Sequence, residues 1–132
     1  MDLAARSRLA ESLLGDNAVA AVVTEAFFAR HPEWDARFGP AGRRRCTEDA
    51  RLHLSFLAGA VQVGNLALFA EYMTWCAAML GARKIDGAHL AEHLDLLEEQ
   101  LALRGTQDAR PALDPAARAL ISAVLCEGHA AL

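Results

Sequence analysis

Apolar residues recur along this chain three and four positions apart, which is the spacing of one face of an α-helix. Alanine and leucine dominate the sequence, and prolines stand only where the apolar pattern is interrupted. Almost nothing in the sequence favours strands. The pattern therefore predicts an all-α domain.

The interruptions divide the chain into six main helices and one short helix. The main helices are predicted at residues 2–14, 16–30, 43–64, 65–83, 86–104 and 114–129, and the short one at 32–38. A break is predicted at residues 39–42 and a loop at 105–113; Asp16 or Asn17 is expected to cap the second main helix, and Asp86 the fifth. Apolar stripes are predicted on the first and fifth main helices: Leu3, Leu9, Leu13 and Leu14 on the first, and Leu90, Leu94, Leu97 and Leu101 on the fifth. Asp114 and Pro115 form a strong start signal, a capping residue followed by a first-turn proline. We expect globin-like packing of these helices, with a simpler bundle as the alternative.

Length, charge and cysteine content narrow the class of protein. A chain of 132 residues is expected to form a single domain, residues 1–132, with a sizeable core. The apolar fraction is 54%, but no run reaches the roughly 18 uncharged residues of a membrane span. The net charge is −4, and the one basic cluster is too small for general nucleic-acid binding. An acid-containing first helix and three widely spaced cysteines indicate free thiols in a cytoplasmic protein.

The segment from Arg43 to Gly64 is the one around which the rest is organised. Cys46, Asp49 and His53 share one helical face, at about 100° per residue. Most of the remaining positions are apolar, which predicts a central, buried helix: Leu52, Leu54, Phe56, Leu57, Val61 and Val63. A carboxylate buried in such a helix is costly without a partner, so we expect a ligand to supply one.

Arg43, Arg44 and Arg45 stand at the predicted start of this helix, where the helix dipole disfavours positive charge. An anion would offset that cost, and a carboxylate suits the forked guanidinium group. These features predict an elongated, acidic, nitrogen-rich ligand along the helix. In the alternative interpretation, Asp49 and His53 are an exposed pair four residues apart on a helix surface.

The run from Cys46 to Phe69 resembles the chromophore helix of the phycobiliproteins, which are globin-like and hold linear tetrapyrroles. It has the cysteine, the aspartate three residues later, the leucine and aromatic positions and the break at Gly64-Asn65, but Glu48 stands where that family has an arginine. Over residues 31–101 the chain is more similar to the photoglobins, non-haem globin-like domains thought to bind bilins as light sensors. The segments HPEW, RRRCTEDARLHLSFL, ALFAEYMTW and HLAEHLDLLEE carry this resemblance.

The resemblance implies a non-enzymatic light sensor that binds a linear tetrapyrrole (bilin), and it implies roles for single residues. Asp49 would accept hydrogen bonds from pyrrole nitrogens, and His53 would contact a ring carbonyl or carboxylate. Tyr72 and Trp75 would pack on the ring faces. The Glu48 departure leaves the propionates to arginines 43–45, and we expect non-covalent binding instead of a thioether at Cys46.

The resemblance also implies signalling partners. We expect a homodimer, and a downstream domain or partner protein, for example a cobalamin-binding domain, reached through the last helix at 114–132. Because the sequence ends within that helix, we expect the natural chain to continue. A ligand-free globin-like module that dimerises through its apolar face is the alternative function.

Two other cofactors receive less weight. Haem normally needs an axial histidine on the helix after the central one, and residues 65–83 contain none, although Tyr72 and Cys76 could ligate iron in principle. The run from His89 to His93 matches the H-x-x-E-H pattern of inverted zinc peptidases, but an exposed polar face on an acidic helix is the simpler interpretation. Nothing in the sequence matches a nucleophile elbow, a Walker loop or a dinucleotide fingerprint.

Overall fold

The structure is a computed structural model that describes residues 1–106 and 111–132. Within these residues there are six helices and no strand: α1 (Leu3–Leu14), α2 (Asn17–Arg30), α3 (Glu33–Val63), α4 (Ala67–Ala82), α5 (Gly87–Ala102) and α6 (Pro115–Ala130). The prediction of an all-α chain with six main helices is confirmed. The predicted short helix forms the first part of α3, and the predicted loop at 105–113 lies partly outside the described residues.

Aspartate side chains begin four of these helices. The Oδ1 atoms of Asp2, Asp16, Asp86 and Asp114 accept hydrogen bonds of 2.8 to 3.1 Å from backbone N–H groups of the first turn. Each bond satisfies a donor that has no partner inside its own helix. The capping residues predicted at Asp86 and Asp114 are confirmed, and α2 is capped by Asp16.

α3 bends at Gly39. The backbone of Gly39 has φ 66° and ψ −165°, a conformation that residues with a Cβ rarely adopt. Helical geometry resumes at Pro40, whose ring suits the first turn of a helix. The break predicted over residues 39–42 is therefore confined to one residue. As a result, Arg43 to Arg45 lie inside the helix instead of at its start.

The second part of α3, residues 40–63, is buried on one side and exposed on the other. Helices α1, α2, α4 and α6 contact α3 along its buried side. Leu52, Phe56 and Val63 lie on the outer side and are 47%, 46% and 64% exposed, respectively. The four neighbouring helices agree with the prediction of a central helix, but burial of these three apolar residues was also expected and is wrong, because the neighbours pack against only part of the circumference.

The apolar stripe predicted on α5 is confirmed, since Leu90, Leu94, Leu97 and Leu101 are all buried. The stripe predicted on α1 is only half right. Leu9 and Leu13 are buried there, but Leu3 and Leu14 at its two ends are exposed.

No single helix in the described residues is both long and apolar enough to cross a membrane. Helices α1 and α2, bent by 54° relative to each other, meet the requirement of length and composition only when taken together.

Two buried histidines connect α3 with α4 and α5. The His53 Nδ1 atom lies 2.7 Å from the Tyr72 hydroxyl, and the His53 ring centroid lies 5.1 Å from that of His93. The His93 Nε2 atom lies 3.6 Å from the Cys46 sulfur. Burial lowers the pKa of His93 to about 4 and holds the pKa of His53 well below its ordinary value. Both imidazoles are therefore neutral at pH 7.

Gly128→Ala is expected to lower the free energy of unfolding by about 1–3 kcal/mol, as overpacking does. A Cβ at Gly128 in α6 would lie 2.6 Å from the Phe69 ring, which is fully buried and has no room to move aside. Gly59→Ala is the matched control, because a Cβ there meets nothing within 4 Å. It should instead raise stability by about 0.5–1 kcal/mol, since alanine favours a helix. Urea unfolding of both variants measures the difference, and equal effects would contradict this packing.

Stability should fall as the pH drops below 6.5, because the unfolded chain can protonate a histidine that the folded chain keeps neutral. His53 faces Tyr72 on α4 and His93 on α5, and Asp49 precedes it by one turn. Its contribution is fully present above pH 6.5 and should shrink by about 1–2 kcal/mol by about pH 5.

His53→Gln keeps a hydrogen-bonding group but does not titrate in this range. Urea unfolding at several pH values, with a chelator present, should therefore give a flatter pH profile for this variant than for the parent. His129→Gln changes a partly exposed histidine and is the control. An unchanged slope in His53→Gln would show that this imidazole does not carry the acid sensitivity.

Candidate functional site

A cavity of about 310 Å³ lies between α2, the bend and first turns of the second part of α3, the end of α4 and the start of α5. This volume is at the lower end of the range for small-molecule sites. Its lining residues include three groups: an aromatic wall (Phe27, Phe28, Trp34 and Phe38), a polar floor (Cys46, His53 and His93) and a cationic rim (Arg45 and Arg83). The other lining residues are Ala41, Gly42, Asp49, Leu80, Ile85, His89 and Leu90.

The aromatic wall is built by the end of α2 and the first part of α3. The Phe27 and Trp34 ring centroids are 5.1 Å apart at 79°, and those of Trp34 and Phe38 are 5.0 Å apart. The edge-to-face pair of Phe27 and Trp34 is attracted beyond its apolar contact, and Phe38 packs on Trp34 at a tilt of 54°. The bend at Gly39 follows this ring group directly, so the wall is held between two rigid helical segments. It offers flat apolar surface to a conjugated ligand.

Asp49 is the one acid in the cavity lining, and its carboxylate is half-buried. Burial raises the pKa of Asp49, while the positive charges of Arg45 and Arg83 oppose that rise. Within residues 1–106 and 111–132, the carboxylate forms no hydrogen bond or ion pair with another side chain. It is therefore an acceptor available to a ligand, placed beside two cations.

The floor consists of neutral groups from α3 and α5. Burial raises the pKa of the Cys46 thiol to about 11, and the nearby charge of Asp49 adds to the effect. The thiol beside His93 is therefore protonated at pH 7 and is a poor nucleophile. All three cysteines of the chain are free.

Four of the residues predicted to form the site come together in the cavity lining. These are Arg45, Cys46, Asp49 and His53, which α3 presents on one side over about two turns. Only part of the surface of His53 is available, because its Nδ1 atom is already engaged with Tyr72. The expected shared face of Cys46, Asp49 and His53 is thus present in the structure.

Arg43 lies outside the cavity lining and is engaged elsewhere. Its guanidinium group lies 2.8 Å from a carboxylate oxygen of Glu25 on α2 and 2.8 Å from one of Asp35 at the start of α3. These two acids, and not a ligand, offset the charge of Arg43. Arg44 is exposed and also does not line the cavity.

Tyr72 and Trp75 likewise lie outside the cavity lining. Tyr72 sits behind the floor, where its ring stacks on Phe56 with centroids 3.9 Å apart and planes 4° apart. Trp75 is 58% exposed, and its ring centroid lies 6.3 Å from that of Tyr72. These three rings form an aromatic column on the outer side of α3 and α4.

The sequence interpretation did not place the aromatic wall, His89, His93 or Arg83 in the site, and Arg83 is the charged residue among the arginines and acids that it missed there. Arg45 and Arg83 each stand nineteen positions from Gly64, at which the chain turns from α3 towards α4. When two consecutive helices run antiparallel, residues at equal distances from the turn between them lie side by side. The equal spacing of Arg45 and Arg83 from Gly64 could therefore have predicted from the sequence that the two arginines lie close together.

The H-x-x-E-H segment of α5 is divided by the structure. Both histidines line the cavity, but His93 is buried with its Nε2 atom beside the Cys46 sulfur, whereas the ring of His89 lies near that of His31, with centroids 5.0 Å apart. Among the described residues, the ligand atoms that converge with those of His89 and Glu92 come from His31 and not from His93. The zinc-peptidase arrangement considered from the sequence is not formed.

Comparison of the chain with protein-family models, with curated proteins and with solved structures gives no match. The geometry and chemistry of the cavity are therefore the basis for a functional assignment.

Proposed function

We propose that the chain is a non-enzymatic, globin-like sensor domain of the cytoplasm whose cavity binds a linear tetrapyrrole (bilin). The observation that carries the proposal is the environment of Asp49: a half-buried, unbonded carboxylate between two cations and opposite an aromatic wall. A carboxylate partly removed from water is stabilised by a partner that donates hydrogen bonds to it.

The residues fit the chemistry of such a ligand. Asp49 offers an acceptor to pyrrole N–H groups, and Arg45 and Arg83 offer cations to propionate carboxylates. Phe27 and Trp34 provide ring faces and edges for a conjugated system. A bound bilin would supply absorption of visible light, which no side chain of the protein provides.

The high pKa of Cys46 supports non-covalent binding. A thioether at this position would require removal of the thiol proton, and burial, together with the nearby negative charge of Asp49, opposes that removal. The chain thus supplies binding and orientation instead of covalent attachment.

Signal output in this proposal uses a homodimer and a downstream domain or partner protein, for which α6 and the exposed rings of the aromatic column, Phe56 and Trp75, are the available surfaces. His53 lies on the floor of the cavity and Tyr72 lies in the column, and the two are hydrogen-bonded. The same column supports a second candidate function, a ligand-free dimerisation module, because Phe56 and Trp75 are large apolar groups left about half exposed.

Asp49→Ala should abolish or strongly shift the visible absorption of protein produced together with a bilin-synthesising pathway. The change removes the acceptor for pyrrole N–H groups, while the cavity and its aromatic wall remain. Glu48→Ala is the matched control, since Glu48 is the adjacent exposed acid and does not line the cavity. The measurement is the spectrum of each purified protein.

A parent protein that stays colourless both after co-expression and after addition of biliverdin would overturn the proposal. If that colourless protein is a dimer in sedimentation experiments, the ligand-free module is the better assignment. A Soret band after reconstitution with haem, without affinity for biliverdin, would assign the cavity to a cyclic tetrapyrrole instead.

Arg45→Ala and Arg83→Ala should each weaken biliverdin binding by about three- to tenfold at low salt, because each removes an exposed cation from the rim. The loss should diminish as salt screens the parent's own attraction. Arg8→Ala removes an equally exposed cation from α1 and serves as the control. Fluorescence titrations give the dissociation constants, and equal losses in all three variants would indicate only a net-charge effect.

A further inference from the structure

Three potential metal ligands converge at the edge of the cavity, where the end of α2 meets the first turns of α5. One ligand atom from each of His31, His89 and Glu92 lies within 4.8 Å of the other two, and all three residues are half-buried. We infer that these residues form a binding site for a divalent first-row transition ion, in the first instance Zn²⁺. The inference is independent of the bilin proposal.

The local structure explains why these side chains meet. His89 and Glu92 are three positions apart on α5 and therefore project from the same face. His31 is the C-terminal capping residue of α2, and its ring packs against Phe27 with centroids 4.7 Å apart. The end of α2 thus supplies one potential metal ligand and the first turns of α5 supply two.

The distances suit a small tetrahedral ion. With metal–ligand bonds of about 2.0–2.1 Å, two ligand atoms on such an ion lie about 3.3 Å apart. The His31 Nε2 and Glu92 Oε2 atoms are now 2.5 Å apart, and no pair of the three ligand atoms exceeds 4.8 Å. Small side-chain rotations bring all three into range.

The ligand set also selects the class of metal. Two imidazoles and one carboxylate suit Zn²⁺, Co²⁺, Ni²⁺ or Cu²⁺, whereas Mg²⁺ and Ca²⁺ prefer oxygen ligands. Three protein ligands leave a fourth position for water or for a group of a second molecule. His89 also lines the cavity, so that position would adjoin the cavity.

His89 is free to bind, and Glu92 is held in place. Within the described residues, the ring nitrogens of His89 have no hydrogen-bond partner. The Glu92 Oε1 atom lies 3.5 Å from the Arg30 guanidinium, whose other nitrogen lies 3.8 Å from Glu99. Arg30 is therefore a positioning residue that leaves Oε2 facing His31.

The test is a titration of the full chain, freed of any affinity tag and of bound metal, with ZnCl₂ and with CoCl₂. Calorimetry should give one Zn²⁺ per chain, and Co²⁺ should produce the visible absorption of a tetrahedral site. His89→Gln and Glu92→Gln should each weaken Zn²⁺ binding by at least about tenfold, and Arg30→Ala should weaken it less while leaving the stoichiometry unchanged.

Two matched controls exclude other ligands. His129→Gln removes a partly exposed histidine that pairs with Asp95, and Cys126→Ser removes the exposed thiol. Neither should change Zn²⁺ affinity. Glu92→Gln keeps the size and shape of the side chain. If circular dichroism shows that a histidine variant does not fold, the Zn²⁺ affinity of Glu92→Gln therefore tests the site. Absence of Zn²⁺ binding by the parent, or binding that survives in Glu92→Gln and His89→Gln, would overturn the inference.

Discussion

The floor of the cavity depends on two buried histidines that are neutral at pH 7. His53 is hydrogen-bonded to Tyr72, and His93 faces the thiol of Cys46, so three helices are joined at one level of the fold. Protonation of either imidazole would bury a cation that, within the described residues, forms no ion pair with a carboxylate. The floor is therefore closed and uncharged. Above the floor, Trp34 and Phe38 in the part of α3 before the bend line the cavity.

Polarity changes from the floor to the rim of this space. The lower part offers neutral nitrogen, sulfur and ring surfaces, whereas Arg45 and Arg83 stand at the exposed edge with Asp49 between the two regions. The buried floor favours the apolar, conjugated part of a ligand, and the exposed arginines of the rim favour its anionic groups. A molecule that combines both features at opposite edges matches this gradient better than a uniformly charged or uniformly apolar one.

The sequence predicted the helices well, because their caps are local signals. Asp86 and Asp114 each needed only their own first turn to be recognised, and the stripe on α5 followed from its spacing. The site was predicted on α3, where residues one turn apart share a face. Across helices the prediction failed, since Tyr72 and Trp75 of α4 were expected beside the ligand and do not line the cavity. The pairing of Arg43 with Glu25 and Asp35, and the return of Arg83 to the level of Arg45, depend on how helices cross, which spacing along one helix does not encode. The exposure of Phe56 likewise depends on how the helices cross and could not be predicted from spacing along α3.

The stacked rings of Phe56, Tyr72 and Trp75 have a mechanical consequence. Tyr72 is fixed at its hydroxyl by His53 and at its ring by Phe56, so it cannot rotate without breaking one of these contacts. A displacement of the His53 imidazole would therefore alter its hydrogen bond to Tyr72 and, through the Tyr72 ring, the contact with Phe56. His53 and Tyr72 thus connect the floor of the cavity with the solvent-exposed ring of Phe56.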